Sequence, residues 1–388
     1  MKLKTKKSAA LNHEQAVKSR YAQGAQQKED ALCCPVSYDP KYLRVIPKEI
    51  LEKDYGCGDP SRFLREGETV LDLGSGGGKI CYIASQIVGP KGRVIGVDFN
   101  PAMLALARKY QKPAGDKIGW HNVSFRRGRI QDLTTDLEAL EASLKNNPIC
   151  SVEDWMRFEE NVWQGTPLIA SDSIDVIVSN CVLNLVRPGD KQKLFREMHR
   201  VLKKGGRVAI SDIVSDEAVP QALQEDAGLW SGCVSGAFRE KDFLKAFEAA
   251  GFYGIQIEKL DERPWRIVQG IEFRSMTLTA YKGKEGPCWE RNQAVIYKGP
   301  WKQVVDDDGH VLKRGVRSAV CDKTYHLYAK APYQNDFILV PPSKDIPLTK
   351  AKSFDCNRSD ERDPSETKGK GSKKTTMAQS VCTDGGCC

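Results

Sequence analysis

From residue 69 onward, short apolar runs alternate with amphipathic stretches. Val70, Leu71 and Leu73 form the first run, broken only by Asp72, as expected of a strand buried on both faces of a parallel sheet. A helical pattern over 80–88 follows, then a strand over 93–97, a helix over 102–112 and a strand over 123–126. The rhythm resumes with a very apolar strand over 174–179, a helix over 191–202, a turn at Lys203-Lys204-Gly205-Gly206 and a strand over 207–213. A helix over 242–250 and strands over 254–259 and 271–280 close the series. Such βα alternation predicts an α/β fold with a doubly wound parallel sheet, whose ligands bind at the carboxyl ends of the strands.

Other segments break the rhythm. Residues 13–27 predict a helix with Ala16, Val17 and Tyr21 on one face. Tyr21 is read either as a packing residue or as part of a lid. An insertion over about 133–168 carries helical patterns at 137–144 and 152–162. After Tyr281 the pattern shortens to strand-like pieces at 294–297, 304–305, 311–312 and 324–327, with turn signals at Gly299-Pro300 and Asp306–Gly309. From Ser343 the chain is rich in Lys, Ser, Thr and Asp and poor in aromatics, which predicts a disordered tail. The expected organisation is an N-terminal arm with a cysteine-bearing segment (1–60), a main α/β domain (61–282), a small β-rich domain (283–342) and a tail (343–388).

Composition narrows the class. Of 388 residues, 40% are hydrophobic, ample for a globular core, and no apolar run approaches the ~20 residues that span a bilayer. The basic start MKLKTKKSAA lacks a following apolar stretch, so no export signal and a cytoplasmic location are expected. Thirteen cysteines in a reducing compartment predict mostly thiols rather than disulfides. A net charge of +8, without an aromatic-interleaved basic stripe or zinc-finger spacing, gives no sign of nucleic-acid binding. A monomer is expected.

Two stretches carry cofactor chemistry. In ETVLDLGSGGGK, the glycines after Leu73 permit a tight strand-to-helix turn and close approach of backbone N–H groups to a ligand. The glycine spacing departs from GxGxxG, with Lys79 where the third glycine belongs, and no P-loop Gly-Lys-Ser/Thr triplet follows. About 20 residues on, Asp98 ends the strand RVIGVD, where a carboxylate accepts hydrogen bonds from both hydroxyls of a ribose. The pair DLGSGGGK and GVDFNPAML resembles the cofactor motifs of class I S-adenosylmethionine (AdoMet) methyltransferases. The resemblance puts the methionine end on Asp72, Gly74, Ser75 and Gly76, the ribose on Asp98, and the adenine on Phe99 and Met103. It puts Ile130 and Gln131 among the adenine contacts and Asn180 at the cleft. A generic Rossmann turn for a nicotinamide dinucleotide is the plainer reading.

The cysteines bear on the second substrate. Cys57 sits between glycines in Tyr55-Gly56-Cys57-Gly58, Cys181 follows the fourth strand in Asn180-Cys181, and Cys233 lies in the glycine-flanked Ser231–Gly236 loop. Structural cysteines belong inside apolar runs; these three stand in loops. No His or carboxylate offers itself as a general base beside Cys181, which suits a nucleophile needing no deprotonation. Trivalent arsenic on thiolates, soft ligands for a soft centre, is one.

YGCG, SNCVLNL and SGCVSGA together resemble the cysteine motifs of the arsenite methyltransferases, as do the Cys33-Cys34 pair and the terminal cysteines. The likeness covers about residues 21–281 and implies arsenic binding at Cys181 and Cys233, with Cys57 as a third ligand or a redox partner. Cys33 or Cys34 matches a fourth family cysteine, and the doublet leaves open which. Leu183 stands where some members carry another cysteine. The resemblance implies methylation of arsenite to mono- and dimethylated arsenicals, AdoMet as co-substrate, and glutathione or thioredoxin as reductant.

Rival readings remain at this point. An AdoMet enzyme acting on a quinone- or sterol-like metabolite would use Trp155, Trp163 and Trp230 to line an apolar pocket. Cys81 and Cys150 read as packing residues. Cys288, His310, Cys321 and His326 lack metal-site spacing and read as structural. Cys382, Cys387 and Cys388 either deliver arsenic, exchange disulfides or have no role.

Overall fold

The computed structural model describes residues 12–29, 36–356, 361–369 and 372, without the side chains of 161–164. The chain divides into two units, one ending at Gly283 and the other beginning at Lys284.

The first unit opens with α1 (His13–Gly24), α2 (Pro40–Leu43) and α3 (Lys48–Glu52). Alternation then runs β1 (Thr69–Leu73), α4 (Lys79–Val88), β2 (Arg93–Asp98), α5 (Pro101–Lys109), α6 (Gln111–Ile118) and β3 (Val123–Arg127). Helices α7 (Leu137–Asn146) and α8 (Val152–Gln164) form the insertion. Next come β4 (Ile174–Asn180), α9 (Lys191–Val201), β5 (Leu202–Ser215), α10 (Gln221–Gln224) and α11 (Ala227–Ser231). The unit closes with β6 (Phe238–Arg239), α12 (Glu240–Ala249), β7 (Tyr253–Leu260), β8 (Arg266–Val268) and β9 (Ile271–Tyr281).

The strands lie in the order β3-β2-β1-β4-β5-β9-β7, with β6 against β5 and β8 against β9. β3 through β5 are mutually parallel, so the order reverses between β1 and β4. That reversal opens the crevice where such sheets take their ligands. Apolar side chains leave both faces. Val70, Val176 and Val178 pack with Ile80, Ile83 and Leu104 of α4 and α5, while Leu71, Leu73 and Ile177 pack with Leu194, Phe195, Phe243 and Phe247 of α9 and α12. Each fully buried Leu, Val, Ile or Phe contributes about 1.5–3 kcal/mol.

Several expectations are corrected. The sheet is mixed: β9 runs antiparallel to β5, and β7 antiparallel to β9. A parallel return needs a crossover of about a dozen residues or more; the segment between Leu260 and Ile271 is too short for a helix and spends part of itself on β8. The helix read over 102–112 divides into α5 and α6 at Tyr110, because Pro113 supplies no N–H and its ring crowds the carbonyl four residues back. The turn read at 203–206 lies inside β5, with Gly205 at φ 83°.

The second unit contains β10 (Trp289–Glu290), β11 (Ala294–Tyr297), β12 (Gln303–Val305), β13 (Val311–Lys313), β14 (Arg317–Ala319), α13 (Asp322–Tyr328), β15 (Phe337–Val340), β16 (Lys352–Ser353) and α14 (Pro364–Lys368). Residues 324–327, read as a strand, belong to α13. Their burial at Thr324, Leu327 and Tyr328 follows the helical i, i+3, i+4 spacing. Ordered structure also continues past residue 342. β16 pairs with β10, and the guanidinium of Arg362, 1% exposed, is held by Glu290 and Glu366. The polar composition that reads as tail from Ser343 is here spent on buried ion pairing; the terminal cysteines Cys382, Cys387 and Cys388 lie outside the described residues.

Candidate active site

A cleft opens at the carboxyl ends of β1, β2 and β4. Asp72, Gly74, Ser75 and Gly76 line it from the first turn, and Asp98, Phe99 and Met103 from the second. Ile130 and Gln131 enter from the loop after β3, and Asn180 and Cys181 from the end of β4. Every cofactor residue read from the sequence therefore meets at one cavity.

The glycine turn is required by its geometry. Gly74, Gly76 and Gly78 have φ of 71°, 50° and 87°, values that cost little only without a Cβ. A Cβ on Gly74 would stand 2.4 Å from Val182 Cγ1. The Gly76 N–H donates to Asp98 Oδ2 at 2.9 Å, and the Asn100 N–H to Asp98 Oδ1 at 2.8 Å. Burial nevertheless pushes the Asp98 carboxyl up. It pushes Asp72 further, to about 7, although the Cys81 thiol donates to Asp72 Oδ2 at 3.2 Å. Cys81 is thus buried, as its apolar context predicts, and also hydrogen-bonded to a cleft carboxylate. Cys150, read as a packing residue, is exposed.

The three loop cysteines converge beside this cleft. Cys57 and Cys181 are joined as a disulfide, with Cα atoms 5.8 Å apart. The Cys233 thiol donates to the Cys181 carbonyl at 2.9 Å. All three are 4% exposed and share one apolar cluster with Ile213, Val234 and Phe273. Cys181 and Cys233 stand at φ 60° and 59°, a left-handed backbone that costs a non-glycine residue about 1–3 kcal/mol unless its surroundings impose it.

Those surroundings are specific. The Asn180 side chain accepts N–H bonds from Cys57 (2.8 Å) and Gly58 (3.1 Å), and its amide donates to the Gly58 carbonyl (2.7 Å) and Tyr38 Oη (3.0 Å). Ser275 Oγ donates to the Cys57 carbonyl at 2.7 Å. Neither Gly56 nor Gly58 has room for a Cβ, which would meet Asn180 and Ser211 at 2.3 and 2.4 Å. Asn180, read as a cofactor residue, thus borders the cleft while its amide binds the Cys57 loop.

Asp212 plays the matching part on the other side. It is fully buried and accepts N–H bonds from Leu183, Ile213 and the Asn184 amide, each at 2.8 Å. Burial raises its carboxyl to about 6, against hydrogen bonds and Lys191 that lower it. The Asn184 carbonyl in turn sits where a Cβ on Gly236 would come within 2.0 Å, so the turns bearing Cys181 and Cys233 are fitted together. Asp212, Asn184 and Ser275 were missed from the sequence; a lone carboxylate inside the apolar run VAISDIV was the available signal.

Helix α1 completes the cleft. Val17 and Tyr21 line it, and Tyr21 Oη lies 3.9 Å from Cys233 Sγ. Arg20 donates to the Gly228 carbonyl at 2.7 Å, and His13 packs edge-on against Trp230 at 4.1 Å. This geometry favours the lid reading of Tyr21. Trp230 is fully buried in that contact and Trp155 is 52% exposed; neither lines the cleft, and the Trp163 side chain lies outside the description. Cys33 and Cys34 also lie outside the described residues.

The family described as "Methyltransferase domain" matches residues 64–251. The arsenite methyltransferase of Aquipseudomonas alcaligenes is 32% identical over 334 residues, which cover 81% of this chain and 86% of that protein. The chain belongs to the arsenite methyltransferase family. The human arsenite methyltransferase is 29% identical over 373 residues, 90% of this chain and 88% of that protein. The crystal structure of an arsenic(III) S-adenosylmethionine methyltransferase from Chlamydomonas reinhardtii matches with a TM-score of 0.54 and 26% identity, covering 83% of this chain and all of that one. Residues 284–372 match a separate family described only as a domain of unknown function. Among the described residues no helix is long and apolar enough to cross a membrane.

Proposed function

We propose that the protein methylates trivalent arsenic, held by Cys57, Cys181 and Cys233, with AdoMet as the methyl source. The observation that carries the reading is the convergence of the three loop cysteines at the edge of the glycine-turn cleft. The cleft fits AdoMet by the chemistry of its donors: the Asp98 carboxylate suits ribose hydroxyls, the Gly74–Gly76 turn and Asp72 suit a cationic amino-acid end, and Phe99, Met103 and Ile130 offer apolar surface to adenine. Bound there, AdoMet supplies an electrophilic methyl group.

The thiols do the rest. Arsenite arrives as a neutral trihydroxide, and each thiol that binds it gives its proton to a departing hydroxyl, releasing water. Three sulfurs leave arsenic pyramidal with its lone pair unshared, so no general base is required. Holding it at the strand ends is the proximity part of catalysis, worth up to about 7–11 kcal/mol when alignment is good. The methylated product is pentavalent. Cys57 and Cys181 return it to the trivalent state by leaving arsenic as a disulfide, which supplies the two electrons. The closeness of Cys57 and Cys181, with Cα atoms 5.8 Å apart, supports this pairing. A dithiol or glutathione pool, as in cytoplasm, must then reopen it, and a second round gives the dimethylated product.

The test incubates the protein with arsenite, AdoMet and glutathione and separates arsenic species by chromatography with mass detection. Methylated arsenic is expected, and none from Cys181→Ser. Full methylation by both Cys181→Ser and Cys233→Ser would overturn the site.

A further inference from the structure

Three thiols in the second unit form a cluster that the methylation chemistry does not use. The sulfurs of Cys288, Cys321 and Cys356 all lie within 4.8 Å of one another. Cys321 is buried, and the other two are half-buried. All three are thiols rather than disulfides, and an odd set of three cannot be satisfied by disulfide pairing.

The fold builds this cluster deliberately from distant parts of the chain. β10 and β16 pair with Trp289 opposite Ser353, and the Phe354 N–H donates to the Cys288 carbonyl at 2.9 Å, which brings Cys288 and Cys356 to one end of the ladder. Cys321 follows β14 and its sulfur is held by Thr324, whose N–H and hydroxyl lie 3.4 and 3.2 Å away. Ala319 and Phe354 pack around the three sulfurs.

We propose that Cys288, Cys321 and Cys356 bind one trivalent arsenic per chain as a three-sulfur pyramidal site, separate from the methylating thiols. The proposal rests on the reading that this enzyme's substrate is trivalent arsenic. Soft thiolates select soft centres, and the donor set decides among them. Structural zinc sites are four-coordinate, with Zn–S near ~2.3 Å, which puts their sulfurs about 3.8 Å apart. Among the described residues no His, Asp or Glu joins the three sulfurs. His310 is engaged by Asp306 and His326 by Asp322. Three donors complete arsenic and leave zinc one short.

The charge balance points the same way. Arsenic trihydroxide and three thiols give a tris-thiolate and three waters, with no redox change and no net charge left behind. Zinc would need three protons released and would leave one negative charge in a half-buried site.

The test is residue-resolved alkylation of the full reduced chain with N-ethylmaleimide, read by peptide mass spectrometry. Arsenite at ten times its Kd should slow alkylation of Cys288 and Cys356 together by about tenfold, while the exposed Cys150 is unaffected. Cys321→Ser should abolish protection of both. Cys356→Ser, at a half-buried position less demanding on folding, should abolish protection of Cys288. Unchanged alkylation in arsenite would overturn the site, as would one tightly held zinc per chain that arsenite does not displace. Methylation in the parent protein without this protection refutes the second site alone; protection without methylated products refutes the proposed reaction alone.

Discussion

The two cysteine groups of this protein are built on opposite principles. In the group proposed to hold the arsenic that is methylated, Cys181 and Cys233 occupy left-handed backbone at φ 60° and 59°, and the loops of Cys57 and Cys233 carry glycines with no room for a Cβ. Polar side chains on neighbouring strands support the group: Asn180 and Ser275 hold the Cys57 loop, and Asp212 holds the turn after Cys181. In the second group, Cys321 has an ordinary extended backbone at φ −69°, and strand pairing alone brings Cys288 towards Cys356. Backbone strain persists only where the surroundings over-determine it. On the reading proposed above, it is expended where sulfur must present a bound atom along one direction, and it is absent where sulfurs need only be near each other. The contrast proposed is between orientation at a reactive site and proximity at a binding one.

The sharpest way to break this contrast is to remove a single oriented sulfur. Cys233→Ser should leave no detectable methylated arsenic while AdoMet still binds, measured by arsenic speciation beside isothermal titration. A shift of about 1 Å in a reacting atom already costs about 10²-fold, and loss of the ligand atom costs more. Cys150→Ser, an exposed thiol in neither group, should keep the parent rate. Appreciable methylation by Cys233→Ser would mean that orientation at this position is not what the strained turn serves.

The contrast also explains what could be read in advance. Glycine-flanked cysteines in YGCG and SGCVSGA are visible because the close approach of Asn180, Ser211 and the Asn184 carbonyl leaves no room for a Cβ at Gly56, Gly58 and Gly236, and the glycines are letters in the sequence. The β1 turn and Asp98 are legible for the same reason. The second group leaves no such trace: Cys288, Cys321 and Cys356 stand more than 30 positions apart, joined by a two-stranded ladder too short to show a period, and Cys356 falls in a stretch whose composition reads as tail. Asp212 escaped because a buried carboxylate inside an apolar strand reads as an interruption; its partners outside the strand are the Leu183 N–H and the Asn184 side-chain amide, from another turn. The antiparallel β7 and β9 escaped because strand direction is set by the short connection between them, not by the strands' own residues.

A second test weighs the support of the second group. Arg362 is buried, with one guanidinium nitrogen 2.8 and 2.9 Å from the two Glu290 oxygens and another 2.6 Å from Glu366. Glu290 is the neighbour of Trp289 in the ladder that carries Cys288. Arg362→Ala empties a buried position and leaves Glu290 and Glu366 without their shared partner, so it should lower the second unit's urea midpoint and speed Cys288 alkylation. Alkylation of Cys233 should stay as it was. An equal rise at both cysteines would show that the two groups share their support.

The corresponding change in the first group is Asn180→Ala. It leaves the Cys57 and Gly58 N–H groups without their acceptor, a loss of about 1–3 kcal/mol. Methylation should fall by about tenfold or more, and the Cys57–Cys181 disulfide should form more slowly under a fixed glutathione ratio. If disulfide formation keeps its rate, proximity alone governs this pair too, and the contrast weakens.

The smallest effect expected is on pH dependence, and it addresses Asp212, the joint beneath Cys181 and Cys233. Its carboxyl titrates near the ordinary 3.8 in the unfolded chain and at about 6 in the folded one, because burial disfavours the charged form. Between pH ~4 and ~6 the folded protein therefore holds a proton that the unfolded chain has released, and this group's contribution to stability falls as pH rises through that window. Below it both states are protonated, above it both are ionised, and the slope vanishes. Asp212→Asn should make the slope shallower whatever it does to absolute stability, leaving the share of the buried Asp72 and Asp98, as read from thermal midpoints across pH 4–7 against the parent protein. Amide exchange should locate the effect at residues 181–185, where Leu183 and Asn184 donate to this carboxylate. The same slope at residues 288–290 would show that the titration is transmitted through the whole chain, and that the clamp under the strained turns is not local.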